Sequence, residues 1–240
     1  MPKIEFISPY ADFIEQPKPA LLSIPETYKK LSKRLAHHDV KDATVKACMP
    51  FLDALTTGYT LSLPVEVCFK TTVTEKEQEI DINFELIYGN NFPEKFRHLF
   101  KLVSHNDDQM PDDMKSKYRS LNKILKMDLP WHIKTPPGYS CLFTNPFNRN
   151  SPFKIIDGIV DTDLYGQNVN YPFYWTGDIY QKETWIPKGF PFVLVVPFKR
   201  ESWNMKVTND DCEKESFRIK FSNFVRDRYK KLIWQKKSFR

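Results

Sequence analysis

Three carboxylates and two cations lie close together in the middle of the chain. Arg149 and Lys154 precede Asp157, Asp161 and Asp163, and Ser151 stands between the two cations. Hydrolysis of a triphosphate needs a carboxylate to orient water, cations or backbone donors to meet phosphate, and usually a divalent ion. In such a site Asp161 would orient the water and Arg149 or Lys154 would meet phosphate. Asp157 and Asp163 would hold the ion indirectly. The same residues also have a plainer reading: Asp157-Gly158 is an ordinary turn signal, and 161–166 can simply shape a strand crossing.

Other reactive side chains offer less. His37-His38-Asp39 brings two imidazoles and a carboxylate together, but adjacent side chains point apart on regular structure, which favours a solvated loop over a metal site. Cys48, Cys68, Cys141 and Cys212 are widely separated, with no Cys-x-x-Cys pair, and read as reduced thiols. The Pro-Cys-x-x-Cys signature of a zinc deaminase is missing. Cys141 follows a Pro-Pro-Gly turn and has no partner legible in the sequence, so it reads as a buried thiol. His132, beside Trp131, reads as a satisfied, half-buried histidine. No metal site and no cofactor are expected; Mg²⁺ enters only if the hydrolase reading holds.

The chain has 240 residues and a net charge of +6. Residues 214–240 hold ten Lys/Arg against two acids, a net +8, which leaves the other 213 residues at −2. The body is nearly neutral and the tail is basic. Arg226, Arg228, Lys230, Lys231 and Trp234 mix cations with an aromatic ring, which would suit phosphate contact with stacking, an acidic partner or another subunit, or else belong to a helix docked on the body with its cations facing water. No helix-turn-helix, RNA-recognition or zinc-finger signature accompanies them. The N-terminus lacks a signal-peptide core and no apolar run is long enough to span a bilayer, so a soluble intracellular protein is expected, with no membrane partner.

The elements that must position these groups read mainly as strands. Aromatic residues make up 15% and Pro reaches 18 residues against 7 Gly, a profile of short strands joined by Pro-bounded turns. A first strand is expected within 4–10, an extended run over 11–25, and a helix from Pro25 to about Leu35. A second helix lies within 44–55 and must start or kink at Pro50. Thr57–Phe69 reads as strand, Pro break, strand. Ile80–Ile87 alternates at period two and completes the clearest hairpin. Residues 90–106 form a helical or irregular satellite, 107–116 a surface loop, and 118–127 a short amphipathic segment. Strand chemistry resumes at 129–134 and continues through Phe198, with one more strand expected over 199–207. A last amphipathic helix is predicted from about Cys212 to Trp234.

Three short motifs carry a resemblance. Gly58-Tyr59-Thr60-Leu61, Gly158-Ile159-Val160-Asp161 with Tyr165 and Gly166, and Lys188-Gly189-Phe190-Pro191-Phe192 resemble, in order, the first, third and fourth motifs of the trimeric dUTPase and dCTP deaminase superfamily, a β-clip fold. The resemblance puts Asp161 on the water-activating carboxylate. Leu164 stands at the stacking-tyrosine position, with Tyr165 one place late, Leu194 replaces a Gln, and Thr60 replaces an Asp. Arg149-Asn150-Ser151 is the nearest counterpart of the phosphate-binding Arg-Ser-Ser. The glycine-rich fifth motif is absent, and 75–134 is unmatched. A second resemblance spans nearly the whole chain. Phe51-Leu52-Asp53-Ala54, Pro130-Trp131-His132-Ile133-Lys134-Thr135-Pro136-Pro137-Gly138-Tyr139-Ser140, Val160-Asp161-Thr162-Asp163 and Pro197-Phe198-Lys199-Arg200-Glu201-Ser202-Trp203 look like an uncharacterised family of T4-like phages, notably of marine cyanobacteria, and of some bacteria. It implies a phage source and supplies no activity.

The expected fold is mainly β (α+β): a dUTPase-like β-clip core over 57–207 with a helical insertion near 90–128, an N-terminal extended and helical segment over 1–56, and a basic helix over 208–240. The expected function is a non-catalytic scaffold or binding protein, phage-encoded and virion-associated or assembly-related. Its partners would be copies of itself, a trimer favoured, or other phage proteins, in host cytoplasm or virion. The exposed-looking run Tyr171-Pro172-Phe173-Tyr174-Trp175 would suit such a contact, or else be core. The enzyme alternative is a nucleotide hydrolase or deaminase with Asp161 catalytic and Arg149, Ser151, Tyr165, Gly58 and Tyr59 on the substrate. A second alternative is nucleic-acid binding through the basic tail.

Overall fold

The computed structural model describes residues 2–35, 43–74, 79–89, 92–105, 109–111, 124–178, 180–208 and 229–240. In chain order the elements are β1 (Glu5–Ile7), β2 (Lys18–Pro19), α1 (Glu26–Lys30), α2 (Met49–Thr56), β3 (Tyr59–Ser62), β4 (Glu66–Thr74), β5 (Glu79–Ile87), β6 (Lys101–His105), β7 (Ile124–Asp128), β8 (His132–Lys134), β9 (Tyr139–Thr144), β10 (Phe153–Ile155), β11 (Gly158–Val160), β12 (Asn170–Trp175), β13 (Glu183–Ile186) and β14 (Pro191–Lys199). Short 3₁₀ turns occupy Ala20–Ser23, Val45–Ala47 and Glu94–Leu99. The chain is mainly β, as its aromatic, Pro-punctuated composition indicates.

Every described strand pairing is antiparallel. The sheet that carries the chemistry has the order β11-β9-β14-β3-β2; a second runs β10-β12-β7-β6, a third β13-β4-β5, and β1 pairs with β8. The hairpin predicted from period two is present, with β4 and β5 in register from Glu66↔Ile87 to Thr74↔Glu79. Pro50 opens α2 as expected, because its missing N–H costs nothing in the first turn. α1 is shorter than predicted and ends at Lys30. The Tyr28 carbonyl accepts the Leu31 N–H at the helix end, and the Lys46 ammonium donates to the carbonyls of Tyr28 (2.9 Å) and Lys29 (3.0 Å), supplying a donor that a longer helix would have given.

Two expectations are corrected and one open reading is decided. The insertion is not helical in its described parts: beyond the 3₁₀ turn it supplies β6 and β7, paired from Lys101↔Asp128 to His105↔Ile124. Ile124, Leu125 and Met127 are all buried, and a strand covered on both faces loses the alternation that would have marked it. Of the two readings of Tyr171–Trp175, a contact patch or core, core is the one found. The run lies in β12, and Tyr171, Phe173, Tyr174 and Trp175 are all buried. Residues 201–208 are not a strand: β14 ends at Lys199, the Arg200 N–H still bonds to the Gly138 carbonyl, and 201–208 belong to no described ladder. His37-His38-Asp39, most of the acidic loop and the predicted tail helix up to residue 228 lie outside the described residues; Tyr229–Ile233 forms a single π-helical turn.

Aromatic rings join the sheets. Phe153 on β10 meets Phe69 on β4, Phe173 and Trp175 on β12, and Phe192 on β14, with centroids 5.1–6.2 Å apart. Trp175 stacks on Phe69 at 4.3 Å. Each buried ring of this kind contributes on the order of 1.5–3 kcal/mol from removal of apolar area, so this cluster fixes how the three larger sheets sit against one another.

Candidate functional site

The end of the five-stranded sheet gathers the carboxylates. β11 pairs with β9 at Val160↔Cys141, and β9 pairs with β14 at Lys199↔Tyr139. Asp161 therefore leaves β11 beside Ser140 on β9, and Arg200 arrives just beyond β14. The Pro136–Tyr139 turn, with Gly138 at φ 83°, brings a backbone N–H to the same place.

Arg200 organises the cluster. Its guanidinium donates to Asp163 Oδ2 (2.5 Å) and Oδ1 (2.8 Å), reaches Asp161 Oδ1 at 3.2 Å, and touches the Ser140 hydroxyl at 3.1 Å. The Ser140 hydroxyl donates to Asp161 Oδ1 at 2.6 Å, and the Gly138 N–H donates to Asp163 Oδ2 at 2.8 Å. The Arg200 hydrogen bonds, helped by the Gly138 N–H, hold the Asp163 carboxyl down at about 2. Thr135 and Thr162 hydroxyls pair underneath at 2.7 Å, and Thr162 also reaches Cys141 Sγ at 3.3 Å. Burial pushes the Cys141 thiol up to about 11, so it stays protonated, as a buried structural thiol should.

The other predicted substrate residues lie elsewhere, and Arg149 and Ser151 share with Lys154 and Asp157 the lining of an open hollow of about 740 Å³. The Arg149 guanidinium donates to the carbonyls of Ser23, Ala20 and Leu55, plugging the 3₁₀ turn before α1 and the end of α2. Burial lowers its pKa, as it does for a cation leaving water. The Ser151 hydroxyl accepts from the Phe153 N–H at 3.3 Å, a turn contact. Asp157 accepts from the Thr144 hydroxyl at 2.7 Å and lies 3.7 Å from Lys154. Tyr165 stays in the turn after β11, its N–H bonded to the Asp161 carbonyl at 2.8 Å, with its ring exposed. Gly58 serves packing: at φ 74°, a Cβ would lie 2.3 Å from the Val195 carbonyl oxygen. His132 is half-buried, with Nδ1 3.3 Å from the Gln167 carbonyl.

Tyr59 does face a cavity. A hollow of about 490 Å³ lies among Tyr59, Pro136, Tyr139, Pro197, Phe239 and Arg240. The Tyr59 hydroxyl donates to the Arg240 carbonyl at 3.1 Å, and the Phe239 ring meets the Tyr59 ring edge-on at 5.9 Å. The same segment is anchored on α2, where the Trp234 indole N–H reaches both Asp53 oxygens at 3.0 Å and Lys237 reaches Oδ2 at 2.6 Å. Trp234 is thus half-buried against the body, while Lys230 and Lys231 are exposed; Arg226 and Arg228 lie outside the described residues. Asp53, Arg200 and Asn145 were not legible as site residues. Asn145 binds both the Ile155 N–H (2.8 Å) and the Phe153 carbonyl (2.9 Å) and stands in for a strand partner of β10. Among the described residues no three His, Cys, Asp or Glu side chains are placed to hold a metal ion.

Comparison with known proteins adds a distant likeness. No protein-family profile matches the sequence, and no curated protein matches it. Two similar solved structures are dUTPases: one from Staphylococcus bacteriophage 80alpha, and one from phage phi11 of S. aureus. Each has a TM-score of 0.36 at 9% identity and covers 88% of this chain; the coverage of the phage chains is 89% and 99%, respectively. Among the described residues no helix is long and apolar enough to cross a membrane.

Proposed function

We propose that this chain is a non-catalytic scaffold or binding protein, phage-encoded, built on a degenerate β-clip of the dUTPase kind. The observation that carries the reading is the state of Asp161. A hydrolase carboxylate works beside a cation free to meet phosphate, yet the cation beside Asp161 is Arg200, which is committed to Asp163, and Oδ1 of Asp161 takes the Ser140 hydroxyl and the Arg200 guanidinium, leaving Oδ2 to water. Arg149, the nearest counterpart of a phosphate-binding arginine, turns both terminal nitrogens of its guanidinium to three backbone carbonyls. The turns and strands of the motifs remain, and their polar groups serve the fold. Nucleic-acid contact through the tail is the weaker reading, because Trp234 and Lys237 are held by Asp53.

Incubating the purified protein with dUTP or dCTP and Mg²⁺ tests the reading. Neither pyrophosphate nor ammonia is expected above the protein-free control. Product formation that vanishes in Asp161→Asn would overturn the proposal in favour of a nucleotide hydrolase or deaminase working at Asp161.

A further inference from the structure

The hollow at Tyr59 takes no part in the Asp161 cluster, since Asp161, Asp163 and Arg200 are not among its lining residues. Its volume of about 490 Å³ falls within the range of small-molecule sites, about 300–1,000 Å³. The fold fixes its walls from several directions. The Tyr59 ring on β3 meets two other rings, Phe6 at 5.4 Å and Phe239 at 5.9 Å, both edge-on. The Pro136–Tyr139 turn is closed by the Tyr139 N–H on the Pro136 carbonyl (3.2 Å), and the Thr135 hydroxyl donates to the Tyr139 carbonyl at 3.2 Å. Pro197 sits on β14 in register with Cys141 of β9. Residues 2–4 lead into β1, which β8 holds at Glu5↔Lys134. Walls already set in this way lose little freedom when a ligand enters.

The chemistry of the lining is uneven. Tyr59, Tyr139 and Phe239 supply aromatic rings. Pro2, Pro136 and Pro197 have no backbone N–H, so these walls lack the donor that the polar edge of a base or a sugar would use. Among the described residues the lining holds two cations, Lys3 and Arg240, and no carboxylate side chain. Both cations are exposed, which puts the charge at the mouth. The Lys3 ammonium is shared with Glu5 at 2.8 Å, whereas Arg240 has no ion pair among the described residues. Rings and prolines inside, with a cation unopposed by acid at the mouth, complement a ligand that has a flat apolar body and one negative group.

We infer that this hollow binds a small aromatic monoanion, a carboxylate or sulfonate of the fused-ring kind. Its ring body lies against Tyr59, Tyr139 and Phe239, and its charge meets Arg240. The site is separate from Asp161, so the inference goes beyond the scaffold reading and stands whether or not a nucleotide is hydrolysed.

The test is a titration of the full-length protein with anilinonaphthalene sulfonate, followed by fluorescence and by calorimetry. One saturable site per chain is expected, with a Kd on the order of 10 µM. Phenylnaphthylamine, the same ring system without the sulfonate, is expected to bind about 10-fold more weakly. Arg240→Glu keeps the backbone carbonyl that Tyr59 uses and is expected to weaken dye binding at least about 10-fold. Phe239→Ser is expected to weaken it about 10-fold through lost ring contact. Neither change touches the core, so the circular-dichroism spectrum should stay the same. Lys230→Glu alters the net charge equally but lies outside the hollow, and should leave the affinity within about twofold. Absence of a saturable site, equal binding of the uncharged amine, or wild-type affinity in both Arg240→Glu and Phe239→Ser overturns the inference. Displacement of the dye by dUTP but not by naphthoate would make the hollow a nucleotide site and overturn it as well. Pyrophosphate release by the wild type would instead overturn the non-catalytic reading and leave the dye titration standing.

Discussion

Asp161 and Asp163 stand two positions apart, and Arg200 joins both without making them alike. Asp163 is nearly enclosed and takes both guanidinium branches plus the Gly138 N–H, whereas Asp161 is open to water and shares one oxygen with Ser140. The consequence for Asp163 can be measured. Its folded carboxyl titrates at about 2, below its ordinary 3.8. A lowered folded pKa means that the unfolded chain binds the proton more readily, so the stabilisation is fully present above about 3.8 and is lost as pH falls through about 2. Urea midpoints followed across that window should therefore fall for the wild type. In Asp163→Asn, this part of the fall should be missing. Parallel curves for the two proteins would show that Arg200 does not hold the carboxylate in this way. Asp161 was the more prominent candidate by sequence, because a motif singled it out; the tighter partner of Arg200 is its neighbour.

At the scale of elements, the β3–β14 pair shows what a motif glycine does for the fold. Gly58 enters β3 with φ 74° directly beneath the Val195 carbonyl of β14, and its own carbonyl accepts from the Ala20 N–H at 2.9 Å. A glycine that looks like a substrate contact is thus required where two backbones approach closely. Gly58→Ala should cost at least about 2 kcal/mol, from strain at positive φ together with the clash. Equilibrium urea unfolding measures it, and a loss below about 0.5 kcal/mol, the scale of an ordinary surface change, would contradict this packing. Arg149 shows the same economy. A guanidinium that could meet phosphate instead closes the carbonyl ends of a 3₁₀ turn and of α2, because buried carbonyls without donors are costly.

For the molecule as a whole, one buried aromatic cluster spans the sheets, and burial of rings contributes more to stability than exposed ion pairs do. Phe153 touches rings from β4, β12 and β14, and so links the three larger sheets. Phe153→Ala should cost about 3–5 kcal/mol and lower the cooperativity of thermal unfolding; a melt that keeps the wild-type midpoint would show that the sheets are held by something else. Much of this fold is written locally. Pro50 sets the start of α2, Pro-Pro-Gly sets the turn before β9, and the period-two runs of β4 and β5 set a hairpin, because backbone preference and side-chain alternation depend on near neighbours. What covers a strand, or what a charge meets, depends on residues brought from far along the chain. Arg149 finds Ser23 across 126 positions, and Trp234 finds Asp53 across 181. The burial of β7 on both faces, the enclosure of Tyr171–Trp175 and the capture of Asp161 and Asp163 by Arg200 are decided at that distance, where composition and spacing carry no record of the partner.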